Sequence, residues 1–233
     1  MSSASNATVK FDKNKPFVIM CEGIDEFFFL CRYLEFLEDR YADEFVDCHH
    51  VIDLGGIHDM SNQFKTIKSI PDYSSVKGIL FVRDAEKSAK DAGLSLINNI
   101  EKIWNVRLDS DGLIKEGNDN KKIGFFLLPG KDSNGKFRDG TLEDLLVDLF
   151  KVPNSEFTNP SKLLGSVNDY ISVLNNNLRE SSLRTPHKNK LHLLLNCTDR
   201  YVGLKIGEAC KKGAFDFGDP SLDDLKRLIL EMQ

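Results

Sequence analysis

Hydrophobic and polar positions follow a regular order over residues 16–150, where short apolar runs are each followed by a longer amphipathic stretch. Four apolar runs have the length of buried strands and span 16–21, 47–54, 78–82 and 122–129. Four stretches place apolar residues three or four positions apart, as helices do, and span 25–40, 59–70, 88–104 and 141–150. Because strands alternate with helices, we predict an α/β fold with a central, mostly parallel sheet flanked by helices.

The pattern changes after residue 150, where it becomes mainly helical. Residues 160–178 and 221–232 have helical patterns, and Ser221 is the expected N-cap of the second. The apolar residues 190–196 fit either a strand or the start of a helix. The predicted organisation is a disordered tail over 1–14, an α/β core over 15–150 and a mainly helical C-terminal extension over 151–233 packed on the core.

Acidic residues stand directly after two of the predicted strands. Glu22 and Asp25 follow the first strand, and Asp84 and Glu86 follow the third. Parallel sheets bind ligands at the carboxyl ends of their strands. A carboxylate at the edge of an apolar core is costly unless a cation or a donor compensates its charge. Because Asp84 and Glu86 are two positions apart, an extended backbone would point both to one face, where they could hold one Mg²⁺ with its waters.

Two further acids begin the helix that is predicted after the fourth strand. Thr141 is its expected N-cap, and Glu143 and Asp144 follow in the first turn. Both acids are candidates for a further metal ligand or a second metal site. The favourable interaction of acids with a helix N-terminus is an equally good explanation of their position.

The motifs at these strand ends resemble a known domain. Glu22-Gly-Ile-Asp25 and Arg83-Asp-Ala-Glu86, each after an apolar strand, resemble the Toprim domain, which has a Glu after its first strand and Asp-x-Asp after its third. With Gly55-Gly56 and Gly140–Asp144, the chain also resembles a small stand-alone Toprim-like family of uncharacterised function, related to the nuclease domain of overcoming-lysogenisation-defect (OLD) proteins.

The resemblance implies phosphodiester hydrolysis of DNA or RNA that depends on Mg²⁺ or Mn²⁺. In this comparison Glu22 is the general acid/base or a metal ligand, and Asp84 and Glu86 hold the ion. Position 86 departs from the family pattern, because Glu stands where the family has Asp.

The distribution of charge adds a candidate surface for nucleic acid. The 31 basic and 36 acidic residues give a net charge of −5, which excludes a binder that relies on neutralising phosphates alone. Residues 179–212 nevertheless hold eight Lys and Arg against three acids, a local charge of +5. A solvated face that only balances charge explains this segment equally well. The candidate nucleic-acid contacts are Asp25, Gly55, Gly56, Arg83, Lys131, Arg200 and Lys205.

Several classes of protein are disfavoured by what the sequence lacks. No apolar run approaches the roughly 20 residues that span a bilayer, and no cysteine spacing suits zinc, so we predict a cytoplasmic protein. No glycine loop of the ATPase type is present, which suggests either a protein partner, such as an ATPase, or a modest intrinsic activity.

Two alternatives to a nuclease stay open at this stage. The first is a non-catalytic Toprim-like module that binds a protein or a nucleic acid, which the Glu at position 86 and the acidic surface favour. The second is a receiver-like or phosphatase-like α/β domain, in which Asp84 and Lys131 would form the phosphate site.

Overall fold

The computed structural model describes residues 11–56, 60–117, 119–152, 162–177 and 186–233. Within these residues, five strands form one sheet in the order β2-β1-β3-β5-β4. The strands are β1 (Phe17–Cys21), β2 (His49–Asp53), β3 (Gly78–Asp84), β4 (Lys115–Glu116) and β5 (Lys122–Leu128). All neighbours pair in parallel except β4, which is antiparallel to β5. The predicted α/β fold with a mostly parallel sheet is confirmed.

Helices cover both faces of this sheet. They are α1 (Ile24–Arg40), α2 (Met60–Ser69), α3 (Ala89–Trp104), α4 (Leu142–Asp148), α5 (Leu163–Asn177), α6 (Pro186–Asn196), α7 (Ile206–Lys211) and α8 (Asp223–Met232). Helices α2 and α3 pack on one face, while α1 and α4 to α8 contribute to the core on the other. No helix in the described part of the chain is long and apolar enough to cross a membrane.

The sheet has a hydrophobic core on each of its faces, because its central strands are buried on both sides. Every residue of β1 and β3 is buried, which is why both strands have continuous apolar sequences. Side chains alternate between the faces, so Ile19 packs with α1 while Met20 packs with α2 and α3. The carboxyl ends of β1 and β3 therefore lie side by side at one edge, between the two helical layers.

The structure corrects the predicted elements in several places. Residues 190–196 belong to helix α6 and form no strand, whereas β4 and α7 were not predicted because two and six residues are too short to show a period. Ser221 is not an N-cap: it donates its backbone N–H to Asp219 Oδ1 at 2.9 Å in a 3-10 turn, and α8 begins at Asp223.

The prediction of a disordered tail over 1–14 is wrong at Phe11. Residues 1–10 lie outside the described part of the chain, but Phe11 is only 4% exposed and joins the core beneath α2 and α3. Its ring centroid lies 6.1 Å from that of Tyr73. The segment just before β1 is therefore anchored to the core by an aromatic side chain.

Candidate functional site

The carboxyl ends of β1 and β3 open into a cleft of about 620 Å³. Further parts of its wall come from Gly56 after β2, from residues 140–141 before α4 and from the first turn of α6. Among the described residues, the acidic side chains that line it are Glu22, Asp25, Glu26, Asp84, Glu86 and Asp144. The acids that the sequence placed after the first and third strands thus line the same cleft.

Asp84 is the last residue of β3 and is only 9% exposed. Its Oδ1 accepts the backbone N–H of Leu142, the first residue of α4, at 2.8 Å. Burial, and after it the charges of Glu26, Glu143 and Glu22, raise the pKa of Asp84 to about 8, although the hydrogen bond from Leu142 acts in the opposite direction. The charged form of Asp84 is therefore unfavourable in the protein alone, and a cation in the cleft would stabilise it.

Glu26 is a site residue that the sequence analysis missed. It lies in the first turn of α1, one turn after Glu22, and is 9% exposed. Burial, together with the charges of Glu22 and Glu143, raises the pKa of Glu26 to about 7. A Cβ at Gly23 would lie 3.1 Å from Glu26 Oε2, so the glycine leaves space for this carboxylate. The four-residue spacing from Glu22 is the signal that could have revealed it, but acids in a first helical turn are common.

Glu86 does not extend the strand, so the predicted geometry of the Asp84–Glu86 pair is wrong. Its φ is 58°, and its backbone exchanges two hydrogen bonds with Gly140, at 2.7 and 2.8 Å. Because the chain turns at Glu86, this side chain is exposed while Asp84 is buried, although both line the cleft. The pairing with Gly140 lies too far along the chain for a local pattern to predict.

Both candidate acids of α4 have partners within the protein. Glu143 is 6% exposed, and its Oε1 lies 3.0 Å from Nζ of Lys188 in α6. Burial raises the pKa of Glu143, but the hydrogen bonds from Lys188 and Thr141, together with the charge of Lys188, outweigh it, so that the pKa is lowered. Asp144 Oδ2 accepts the backbone N–H of Thr141 at 2.9 Å, which confirms Thr141 as the N-cap. The helix-terminus interpretation therefore accounts for Asp144.

The predicted glycine pair has a different role at each position. Gly56 lines the cleft and donates its N–H to the carbonyl oxygen of Glu22 at 2.7 Å, which joins the ends of β1 and β2. Gly55 is exposed, and its N–H is bound to Asp53 Oδ1 at 2.7 Å. Of the pair, Gly56 is the one at the cleft.

Arg83 is buried, so it is not placed for a contact with a nucleic-acid backbone. It is 8% exposed, and its Nε donates to the carbonyl oxygen of Asp84 at 3.3 Å. Burial lowers the pKa of Arg83, and the charges of Glu22, Asp84 and Glu86 oppose this. Arg83 thus supplies positive charge next to the acids from within the protein.

The other predicted cations lie outside the lining of the cleft. Lys131 Nζ is 5.1 Å from the ring centroid of Phe137, which disfavours the receiver-like arrangement with Asp84. Arg200 Nη2 donates to the carbonyl oxygen of Lys212 at 3.2 Å, and Lys205 precedes α7. Residues 179–185 of the predicted basic segment lie outside the described part of the chain.

The donor set of the cleft fits a hard divalent cation. Within the described ranges, no three His, Cys, Asp or Glu side chains converge as a ready-made metal group. Mg²⁺, however, usually keeps several waters and needs only one or two carboxylates, with substrate phosphates completing its shell. Asp84 with Glu22 or Glu86 would supply such oxygen ligands, and a bound cation would offset the charges that burial makes unfavourable.

Comparison with known proteins gives a family and no activity. No curated protein and no solved structure matches the chain. Residues 16–232 match a family described as a protein of unknown function, DUF3226, and this match includes both the acidic cleft and the C-terminal helices. The chain therefore belongs to the DUF3226 family.

Proposed function

We propose that the cleft is the active site of a Toprim-like enzyme that hydrolyses phosphodiester bonds of DNA or RNA with Mg²⁺ or Mn²⁺. The observation that carries this proposal is the burial of Asp84 and Glu26 beside Glu22 at the carboxyl edge of a parallel sheet. A bound cation stabilises most strongly those carboxylates whose charged forms are unfavourable in the protein alone. The Toprim-like motifs at Glu22 and Asp84 support the same assignment.

Each carboxylate has a distinct role in this proposal. A bound Mg²⁺ would polarise the scissile phosphate and lower the pKa of a coordinated water. Asp84 and Glu86 would hold the ion, and the longer side chain of Glu86 suits its exposed position. Glu22 would accept the proton of the attacking water or give one to the leaving oxygen. Asp25, at the start of α1, would adjust the charge at the mouth of the cleft.

The proposal extends to the cellular setting of the enzyme. We propose a cytoplasmic location and a protein partner, such as an ATPase, that delivers nucleic acid to the cleft. The net charge of −5 and the absence of an ATPase-type glycine loop support a dependence on such a partner.

A cleavage assay tests the proposed function directly. Supercoiled plasmid and end-labelled RNA are incubated with the protein and Mg²⁺, Mn²⁺ or a chelator. We expect metal-dependent cleavage by the wild type, reduced at least roughly 100-fold in Glu22→Gln and Asp84→Asn, which remove the proton carrier and a metal ligand. Glu44→Gln and Asp43→Asn, exposed residues after α1, are matched controls that should cleave normally. Equal cleavage by the site variants and the wild type would show a contaminant and overturn the proposal.

A non-catalytic binding module is the second candidate. The observation that favours it is the exposed Glu86, held by the bridge to Gly140 where the Toprim pattern has an Asp. In that case the wild type would bind labelled nucleic acid without cleaving it under any metal condition. The same assay, followed by a mobility shift, separates the two candidates.

A further inference from the structure

Lys188 brings a positive charge into the acidic cleft from the C-terminal part of the chain. It lies in the first turn of α6, where Pro186, His187 and Lys188 together form one wall of the cleft. Its Nζ is 3.0 Å from Glu143 Oε1, at the start of α4. The ion pair thus links the C-terminal helices to the edge of the sheet where the proposed chemistry occurs.

The two partners of this pair differ strongly in exposure. The Glu143 side chain is 6% exposed, whereas that of Lys188 is 49% exposed. An ammonium group has three N–H donors in a compact charge, and Glu143 accepts from one of them. The buried carboxylate therefore fixes the position of a cation that remains accessible from the cleft.

The charge of the cleft gives this cation a specific use. Among the described residues, six acidic side chains line the cleft, against the two lysines Lys87 and Lys188. A phosphate that approaches such a surface is repelled unless cations lie on its path. A metal ion held by Asp84 with Glu22 or Glu86 would supply positive charge to a phosphate, and the ammonium group of Lys188 would supply more from the wall of the cleft.

We propose that Lys188 binds a phosphate of the substrate and that Glu143 is its positioning residue, not a ligand of the metal. The identity of the substrate as a nucleic acid rests on the proposed function above. The exposed part of the Lys188 side chain lies in the wall of the cleft, where a phosphate bound there would be within its reach. The C-terminal segment thus contributes a substrate contact as well as core packing.

A binding experiment tests this assignment without relying on cleavage. Fluorescein-labelled 20-nucleotide single strands of DNA and RNA are titrated with full-length protein in Ca²⁺, by fluorescence anisotropy at several salt concentrations. We expect Lys188→Met to raise Kd roughly tenfold and to reduce the slope of log Kd against log salt by about one, the signature of one lost phosphate contact. Lys188→Arg should keep most of the affinity, because it retains the charge.

Two further variants separate a substrate contact from a structural role. Lys188→Met alone leaves the buried carboxylate of Glu143 without its counter-ion, so the double variant Lys188→Met/Glu143→Gln provides a comparison without that charge. Lys77→Met, at the opposite end of β3, removes one exposed lysine and should bind as the wild type does. If the double variant binds with the affinity and the salt slope of the wild type, Lys188 does not contact a phosphate and the proposal is overturned.

Cleavage with the same variants distinguishes this inference from the proposed function. If the wild type cleaves and Lys188→Met raises KM with little change in kcat, both proposals are supported. If the wild type binds and loses affinity on Lys188→Met but never cleaves, the hydrolytic function fails and the phosphate contact stands. If the wild type cleaves and Lys188→Met leaves KM, Kd and the salt slope unchanged, the inference about Lys188 fails alone.

Discussion

Glu26 lies one helical turn after Glu22 and is buried where α1 meets the acidic cleft. Its pKa is raised from 4.5 to about 7, first by burial and then by the charges of nearby carboxylates. The folded protein therefore binds a proton at this site over a pH range in which the unfolded chain has already lost it. By linkage, this residue stabilises the fold below about pH 4.5, and its contribution is lost as the pH rises through about 7.

The substitution Glu26→Gln should therefore stabilise the protein in alkaline solution. The amide keeps the size of the side chain and cannot ionise, so we expect the free energy of unfolding at pH 8 to rise by about 1–3 kcal/mol. Urea denaturation of both proteins at pH 8 and pH 4.5 measures the difference. The gain should largely vanish at pH 4.5, and an equal gain at both pH values would contradict the assigned cause.

The loop between β5 and α4 shows how single elements position the site, because it pairs with the segment that follows β3. Gly140 has φ +133°, and its backbone pairs with Glu86 through two hydrogen bonds. A Cβ at Gly140 would lie 2.8 Å from Asp144 Oδ2 and 3.1 Å from Pro129 Cδ. Only a glycine allows the loop to pass this close to the acid that bonds to the start of α4.

The substitution Gly140→Ala should cost stability through both strain and this contact. We expect the free energy of unfolding to fall by about 2–4 kcal/mol, and cleavage to fall with it because Glu86 is bonded to the same residue. Gly135→Ala is the matched control: its φ is +75°, but no atom lies within 4 Å of the added Cβ. The control should lose only about 1 kcal/mol, and equal losses in chemical denaturation would mean that the contact with Asp144 is unimportant.

Sequence patterns predicted the elements that are governed by burial. The continuous apolar runs of β1 and β3 follow from burial on both faces, and the acids after them indicated the edge of the sheet that carries the cleft. The turn at Glu86 and the position of Lys188 were not predictable in this way. Each depends on a contact with a residue of another element, such as the bridge to Gly140 or the ion pair with Glu143.

At the scale of the whole molecule, the C-terminal helices and the sheet share one core. Leu228 and Met232 of α8 are buried in the same cluster as Leu80 of β3. Lys122 Nζ donates to the carbonyl oxygen of Glu231 at 2.8 Å, and a Cβ at residue 78 would lie 2.9 Å from the sulfur of Met232. The last helix therefore covers one face of the central strands and excludes solvent from it.

The substitution Leu228→Ala should consequently destabilise the whole protein and not the C-terminal part alone. Leu228 is 0% exposed, so its truncation leaves a cavity beneath the sheet and should lower the free energy of unfolding by about 2–5 kcal/mol. Unfolding followed by far-ultraviolet circular dichroism and by Trp104 fluorescence should give coincident transitions, because Trp104 reports on the opposite face of the sheet.

The outcome decides whether the C-terminal helices can be treated as a separate unit. Val202→Ala is the matched control, since Val202 is 57% exposed and its truncation should change stability by less than about 0.5 kcal/mol. If Leu228→Ala shifts the circular dichroism transition and leaves the Trp104 transition in place, the C-terminal helices unfold on their own. Lys188 would then reach the cleft only while those helices are folded, and phosphate binding would be lost at lower urea concentrations than the Trp104 signal. Coincident transitions instead mean that the same folding event builds the sheet edge and places Lys188 beside it.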